Sequence, residues 1–141
     1  MAIMPRSEIK LMRRPSASTV LTAQGAYYVA TGAFPFVSRR AFEAVTGPKL
    51  EWWLVQTVGA LVTVAGGALV SGAHQRRITP ELLGVAAGSA GSLAALDIVY
   101  VAKRRIAPTY LLDAAAQVAV LGALASAPRP VDPVKAGSTG Q

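Results

Sequence analysis

The chain has 141 residues, 52% of them apolar and only 15% charged, with a mean hydropathy of +0.42. A soluble domain carries about a quarter charged residues, and here the apolar residues are also blocked into long runs, which points to a single domain built for lipid. The net charge of +7 comes from 14 Lys and Arg scattered over short segments beside those runs; no basic face with interleaved aromatics exists, which argues against nucleic acid as a partner. Cysteine is absent, excluding disulfides, thiolate metal sites and a cysteine redox couple.

Residues 1–15 form a basic N-terminal segment with Arg6, Lys10, Arg13 and Arg14 against Glu8. Its mixture of apolar and basic positions suits a short turn on a membrane surface. The apolar run that follows holds Gln24, Tyr27 and Tyr28 and lacks a small-x-small cleavage site, so it is expected to be an uncleaved first span over 16–37. Ser16 or Ser18 can cap its start, Pro35 disturbs its end, and Gly25 and Gly32 allow a neighbouring helix close approach.

Residues 38–51, SRRAFEAVTGPKLE, read as one or two interfacial helical turns ended by Thr46-Gly47. Pro48 is expected to open the second span, 48–72. Trp52 and Trp53 near its mouth have the character of aromatic-belt anchors, while Gly59, Gly66 and Gly67 offer packing surfaces. A short basic loop carries the lone His74, read as a solvated residue. Thr79-Pro80-Glu81 then supplies a cap, a proline at the first position and an acid near the positive end of the dipole. The third span is 80–102, with Gly84 and Gly88 forming a GxxxG. Pro108 marks the fourth, 108–126, and the Pro/Gly-rich tail 127–141 is expected to be disordered.

The fold class is therefore all-α: a four-transmembrane-helix bundle with short loops and an interfacial helix in the first. Four spans place both termini on one side. That side holds Arg6, Lys10, Arg13, Arg14, Arg76, Arg77, Arg129 and Lys135, against Arg39, Arg40, Lys49, Lys103, Arg104 and Arg105 opposite. The positive-inside rule narrowly favours cytoplasmic termini, in a bacterial inner membrane.

Chemistry centres on LAALDIVYVAKRRIAPTYLLD, Leu93 to Asp113. Asp97 and Asp113 fall near one membrane face, with Tyr100, Tyr110, Arg39, Arg40, Glu51 and the two tryptophans at the same end. A charged Asp in mid-membrane costs roughly 2.5–3.5 kcal/mol, so both acids should face protein or water. Three readings stand: the acids pair with Arg39, Arg40 or the Lys103–Arg105 cluster and clamp a hairpin; they line a pocket for a polar or amphiphilic ligand; or one carries a proton. Gln24, Tyr27, Tyr28 and Gln56 read as interhelical hydrogen bonders. No metal ligands or cofactor motifs are present, and no reaction is identified.

The stretches GAYYVATGAFPF, TGPKLEWWLVQTVGAL and ALDIVYVAKRRIAPTYLLDA resemble, in layout, small four-helix bacterial membrane proteins of the DoxX-like type. That resemblance covers about residues 20–125 and implies a four-helix bundle with no particular activity. Two function classes follow from the sequence: a non-catalytic accessory or scaffold subunit packed against other membrane subunits or against itself, or a lipid- or quinone-like ligand bound, moved or turned over at the end of the bundle that carries the first and third loops.

Overall fold

Local signals set the helix boundaries. In the computed structural model, which describes residues 15–128, Ser16 accepts from the Thr19 amide at 3.2 Å and starts α1, Ala17–Val37. Ser38 accepts from the Ala41 amide and starts the short α2, Arg39–Thr46. Gly47, with φ +86°, ends it in a conformation that disfavours a side chain. α3 runs Trp52–His74, α4 Pro80–Ala102 and α5 Tyr110–Ser126. The Thr79 cap accepts from the Leu82 amide at 3.2 Å, as its sequence requires. All described secondary structure is helical. The expected surface turn in residues 1–14 and the tail from 129 onward lie outside the described residues.

Two expected starts move by two to four residues, each for a visible reason. The Pro48–Glu51 segment stays extended because α2 holds it: the Lys49 amide donates to Glu43 Oε1 at 3.0 Å and Lys49 Nζ to the Thr46 carbonyl at 2.9 Å. Thr109 does not cap α5. Its hydroxyl donates instead to the Val45 carbonyl at 2.9 Å, tying α5 to the end of α2. His74 closes α3 and is exposed. The Lys49 N–H and the nearby Arg39 hold the Glu43 carboxyl below its ordinary range. A depressed carboxyl contributes stability above its unfolded value and loses it as pH falls through the folded one. Amide exchange over residues 39–49 should therefore quicken in acid before the rest of the chain responds.

The α3–α4 and α4–α5 loops share a geometry. Arg76 and Arg104 both adopt φ +55°. The following arginine amides reach back to Gly72 and Tyr100, each at 2.9 Å. These are Schellman ends with arginine where glycine is usual. Arg76→Gly and Arg104→Gly should each raise stability by about 0.5–1 kcal/mol, left-handed strain outweighing the added unfolded-chain entropy. A melting curve in detergent checks this, and a fall would refute it.

α1 and α3 run antiparallel in backbone contact. A Cβ on Gly25 would lie 2.6 Å from the Gly66 carbonyl oxygen, and one on Gly32 2.6 Å from that of Gly59. α4 pairs mainly with α5, and the two pairs meet more sparsely. The buried cluster of Leu21, Tyr28, Leu69, Ala73 and Ala86, with Leu82 and Leu124 against it, fills the half nearest the α3–α4 loop. The half beneath α2 is hollow. A Cβ on Gly84, Gly88 or Gly67 would meet nothing within 4 Å, so among the described residues the expected GxxxG is not a packing face. The seam is Gly25, Gly32, Gly59 and Gly66.

α3 and α4, 23 residues each with mean hydropathy 1.7, are long and apolar enough to cross a membrane. α5 has 17 residues. α1 buries its Gln24 and Tyr28.

Candidate functional site, a capped cavity with a polar wall

The hollow half encloses about 580 Å³, within the range of drug-sized ligand sites. Tyr27, Tyr28 and Phe34 of α1, Leu54, Val55 and Val58 of α3, and Tyr110, Leu112, Asp113 and Gln117 of α5 form its walls; Phe42, Val45 and Thr46 of α2 form its cap. An aromatic chain seats the cap. Phe34 and Phe42 stack edge to face at 5.6 Å, Phe42 and Trp52 at 5.8 Å, and the Arg39 guanidinium lies 4.7 Å over Trp52. Trp53 points outward and donates to Glu51 at 2.7 Å.

A buried hydrogen-bond chain crosses the bundle where the packed half meets the hollow one. Gln24 Nε2 donates to the Ala86 carbonyl at 2.8 Å and to the Tyr28 hydroxyl at 3.1 Å. Tyr28 donates to Gln117 Oε1 at 2.9 Å, and Gln117 Nε2 donates to Asp113 Oδ1 at 3.2 Å. The Tyr27 hydroxyl donates to the same Asp113 oxygen. Both donors fall on Oδ1, so Oδ2 keeps its acceptor capacity. Asp97, 7% exposed, comes from α4 to lie beside Asp113, and its Oδ2 is buried with no partner.

The ion-pair clamp expected from sequence is absent among the described residues. Their one salt bridge joins Arg39 to Glu43 at 3.3 Å, and neither Asp97 nor Asp113 has a basic partner. The Schellman turn after α4 carries Lys103, Arg104 and Arg105 out to solvent, where all three are exposed. Tyr100 is exposed on α4, with Lys103 Nζ 5.6 Å from its ring. Arg40 is exposed on α2 and Glu51 in the linker. Of the sequence candidates, Asp113 and Tyr110 line the cavity, Asp97 lies behind Asp113, and Arg39 and Trp52 brace the cap. Gln24, Tyr28 and Gln117 bond between helices, as polar groups inside an apolar bundle must. The cap residues Phe42, Val45 and Thr46 also line the cavity, and the amphipathic spacing of Phe42 and Val45 is their one signal in the sequence.

Asp97→Asn should leave the fold intact and raise its stability by about 1 kcal/mol. It removes an acceptor that has no donor and supplies an N–H for Asp113. Thermal unfolding decides it: a lower melting point would mean that the Asp97 charge is held by a group outside this network.

Comparison of the chain with protein-family models, with curated proteins and with solved structures finds no match in any of the three.

Proposed function

We propose that the chain is a four-span membrane protein whose capped cavity binds an amphiphilic small molecule. The observation that carries this reading is the cavity itself, apolar over most of its wall and polar at Tyr27, Asp113 and Gln117. A site of that make-up suits a molecule with an apolar body and one hydrogen-bonding head. The membrane part is supported by the two 23-residue apolar helices and by exposed Leu61, Val64, Leu96, Ile98 and Val118, which lipid would cover. α5 would span about 26 Å at 1.5 Å per residue, short of a core of roughly 30 Å but extended by Pro108 and Thr109. The DoxX-like layout agrees with four spans and contributes nothing on the ligand.

A second reading, an accessory subunit in the same membrane, is favoured by one observation. Gly84, Gly88 and Gly91 of α4 present open backbone on which a helix of another subunit or another copy could lie.

Native mass analysis of the gently extracted protein tests the first reading. Wild type should carry a small amphiphile, and Val55→Trp, which fills the cavity, should lose it while keeping its helical content. Retention by the filled variant, or stoichiometric protein partners with no small molecule, would overturn it. The absence of cysteine makes topology directly testable. Gln75→Cys and Arg104→Cys should react with an impermeant maleimide from opposite sides of the membrane, and labelling from one side would refute four spans.

A further inference from the structure

Resting on that reading, we propose that the cavity selects a lipophilic organic cation, admitted sideways from the bilayer between α3 and α5. Charge complementarity is the first argument. Among the described residues, Asp113 is the only charged side chain on the cavity wall, and both its recorded donors use Oδ1. Asp97 stands behind it with an unpartnered, buried Oδ2. The two carboxyls lie together in an apolar bundle, and among the described residues no Lys or Arg is bonded to either, so the negative charge they carry has no counter-charge there. An anion would meet only repulsion there, whereas a cation would supply the missing charge.

The second argument is the remainder of the wall. Tyr27, Tyr28, Phe34, Phe42 and Tyr110 surround the space, and aromatic faces attract cations whose charge is spread over apolar groups. A small hydrated metal ion would leave most of this wall unused. The basic groups nearby already have partners: Arg39 is occupied by Trp52 and Glu43, and Lys49 by the Thr46 carbonyl and the Tyr110 ring.

Access is the third argument. Leu54, Val58 and Leu112 line the cavity and are also 48%, 49% and 75% exposed. They sit on the flanks of α3 and α5, which are not packed on each other. The gap between those helices therefore faces the bilayer, while α2 roofs the end of the bundle.

The test uses two ions of one shape and opposite charge. Tetraphenylphosphonium and tetraphenylborate are equilibrated with the full chain in discs of zwitterionic lipid, each corrected for uptake by protein-free discs. The phosphonium should bind saturably, about tenfold or more tighter than the borate, as one attractive in place of one repulsive charge contact requires. Asp113→Asn should remove that preference. Val58→Trp, which blocks the gap without touching the carboxyls, should lower phosphonium uptake in a variant whose fold does not depend on the polar chain. Equal binding of the two ions, or unchanged uptake by Val58→Trp, would overturn the inference. An amphiphile retained by wild type and lost from Val55→Trp, with no saturable phosphonium binding, would overturn this inference alone; failure of both would overturn the cavity reading as well.

Discussion

Gly66→Ala should destabilise the protein by about 1–3 kcal/mol, the usual range for overpacking a close contact. The added Cβ would fall 2.6 Å from the Gly25 carbonyl oxygen, 2.8 Å from Tyr28 Cβ and 2.8 Å from the Val29 amide nitrogen. Two of those three atoms are backbone, so no rotamer change relieves the clash and the helices must separate. In lipid that separation is expensive, because close van der Waals approach rather than water exclusion holds such helices together. Gly84→Ala and Gly88→Ala add a methyl to open space and should be neutral or stabilising by up to about 1 kcal/mol through helix propensity. Thermal unfolding of all three in one detergent decides the matter. A Gly66→Ala protein that melts with wild type would mean that α1 and α3 are not in backbone contact.

Tyr28→Phe should cost a similar amount, about 1–3 kcal/mol, for a different reason. The Tyr28 hydroxyl is buried, accepts from Gln24 and donates to Gln117. Removing it strands Gln117 Oε1 without a donor, whereas Gln24 keeps the Ala86 carbonyl. A buried polar atom that loses its partner suffers nearly its full desolvation penalty. Tyr27→Phe should do less, because Tyr27 is only partly buried and Asp113 retains the Gln117 N–H. A double-mutant cycle isolates the bond. If Tyr28–Gln117 carries the loss, Gln117→Leu added to Tyr28→Phe should destabilise by less than the sum of the two single changes. Strict additivity would show that the Tyr28 hydroxyl and Gln117 are not coupled.

Much of the helical plan was readable from local chemistry. The Ser16, Ser38 and Thr79 caps, Gly47 after α2 and Pro80 at the head of α4 each act through neighbours within a few residues. Pro48 and Pro108 stand two to four residues ahead of the helices they are expected to open, because α2 holds Lys49 and Thr109, and such a contact is invisible to local propensity. The sequence points to the two acids but not to their partners, which are Tyr27 and Gln117 for Asp113 and Asp113 itself beside Asp97. Arginines follow Asp97 closely in sequence, but the turn geometry at Arg104 swings them outward, and it is Tyr27 of α1 that reaches the neighbouring Asp113. The glycine seam was half legible. Gly25, Gly32, Gly59 and Gly66 pair because α1 and α3 are antiparallel neighbours, whereas the more conspicuous Gly84–Gly88 spacing faces outward. Helical spacing states which residues share a face, but not which neighbour that face meets. The matching loops, RRITP after α3 and RRIAP after α4, became meaningful once both proved to place an arginine at φ +55°.

Helices that touch backbone to backbone have no side-chain cushion to compress. The α1–α3 pair is therefore the stiff side of the bundle, and a change in the size of the cavity would have to come from α4 and α5, against the bonds that tie them to α1: Gln24 to the Ala86 carbonyl, Tyr28 to Gln117 and Tyr27 to Asp113. The Thr109 hydroxyl on the Val45 carbonyl adds a further tie at the capped end.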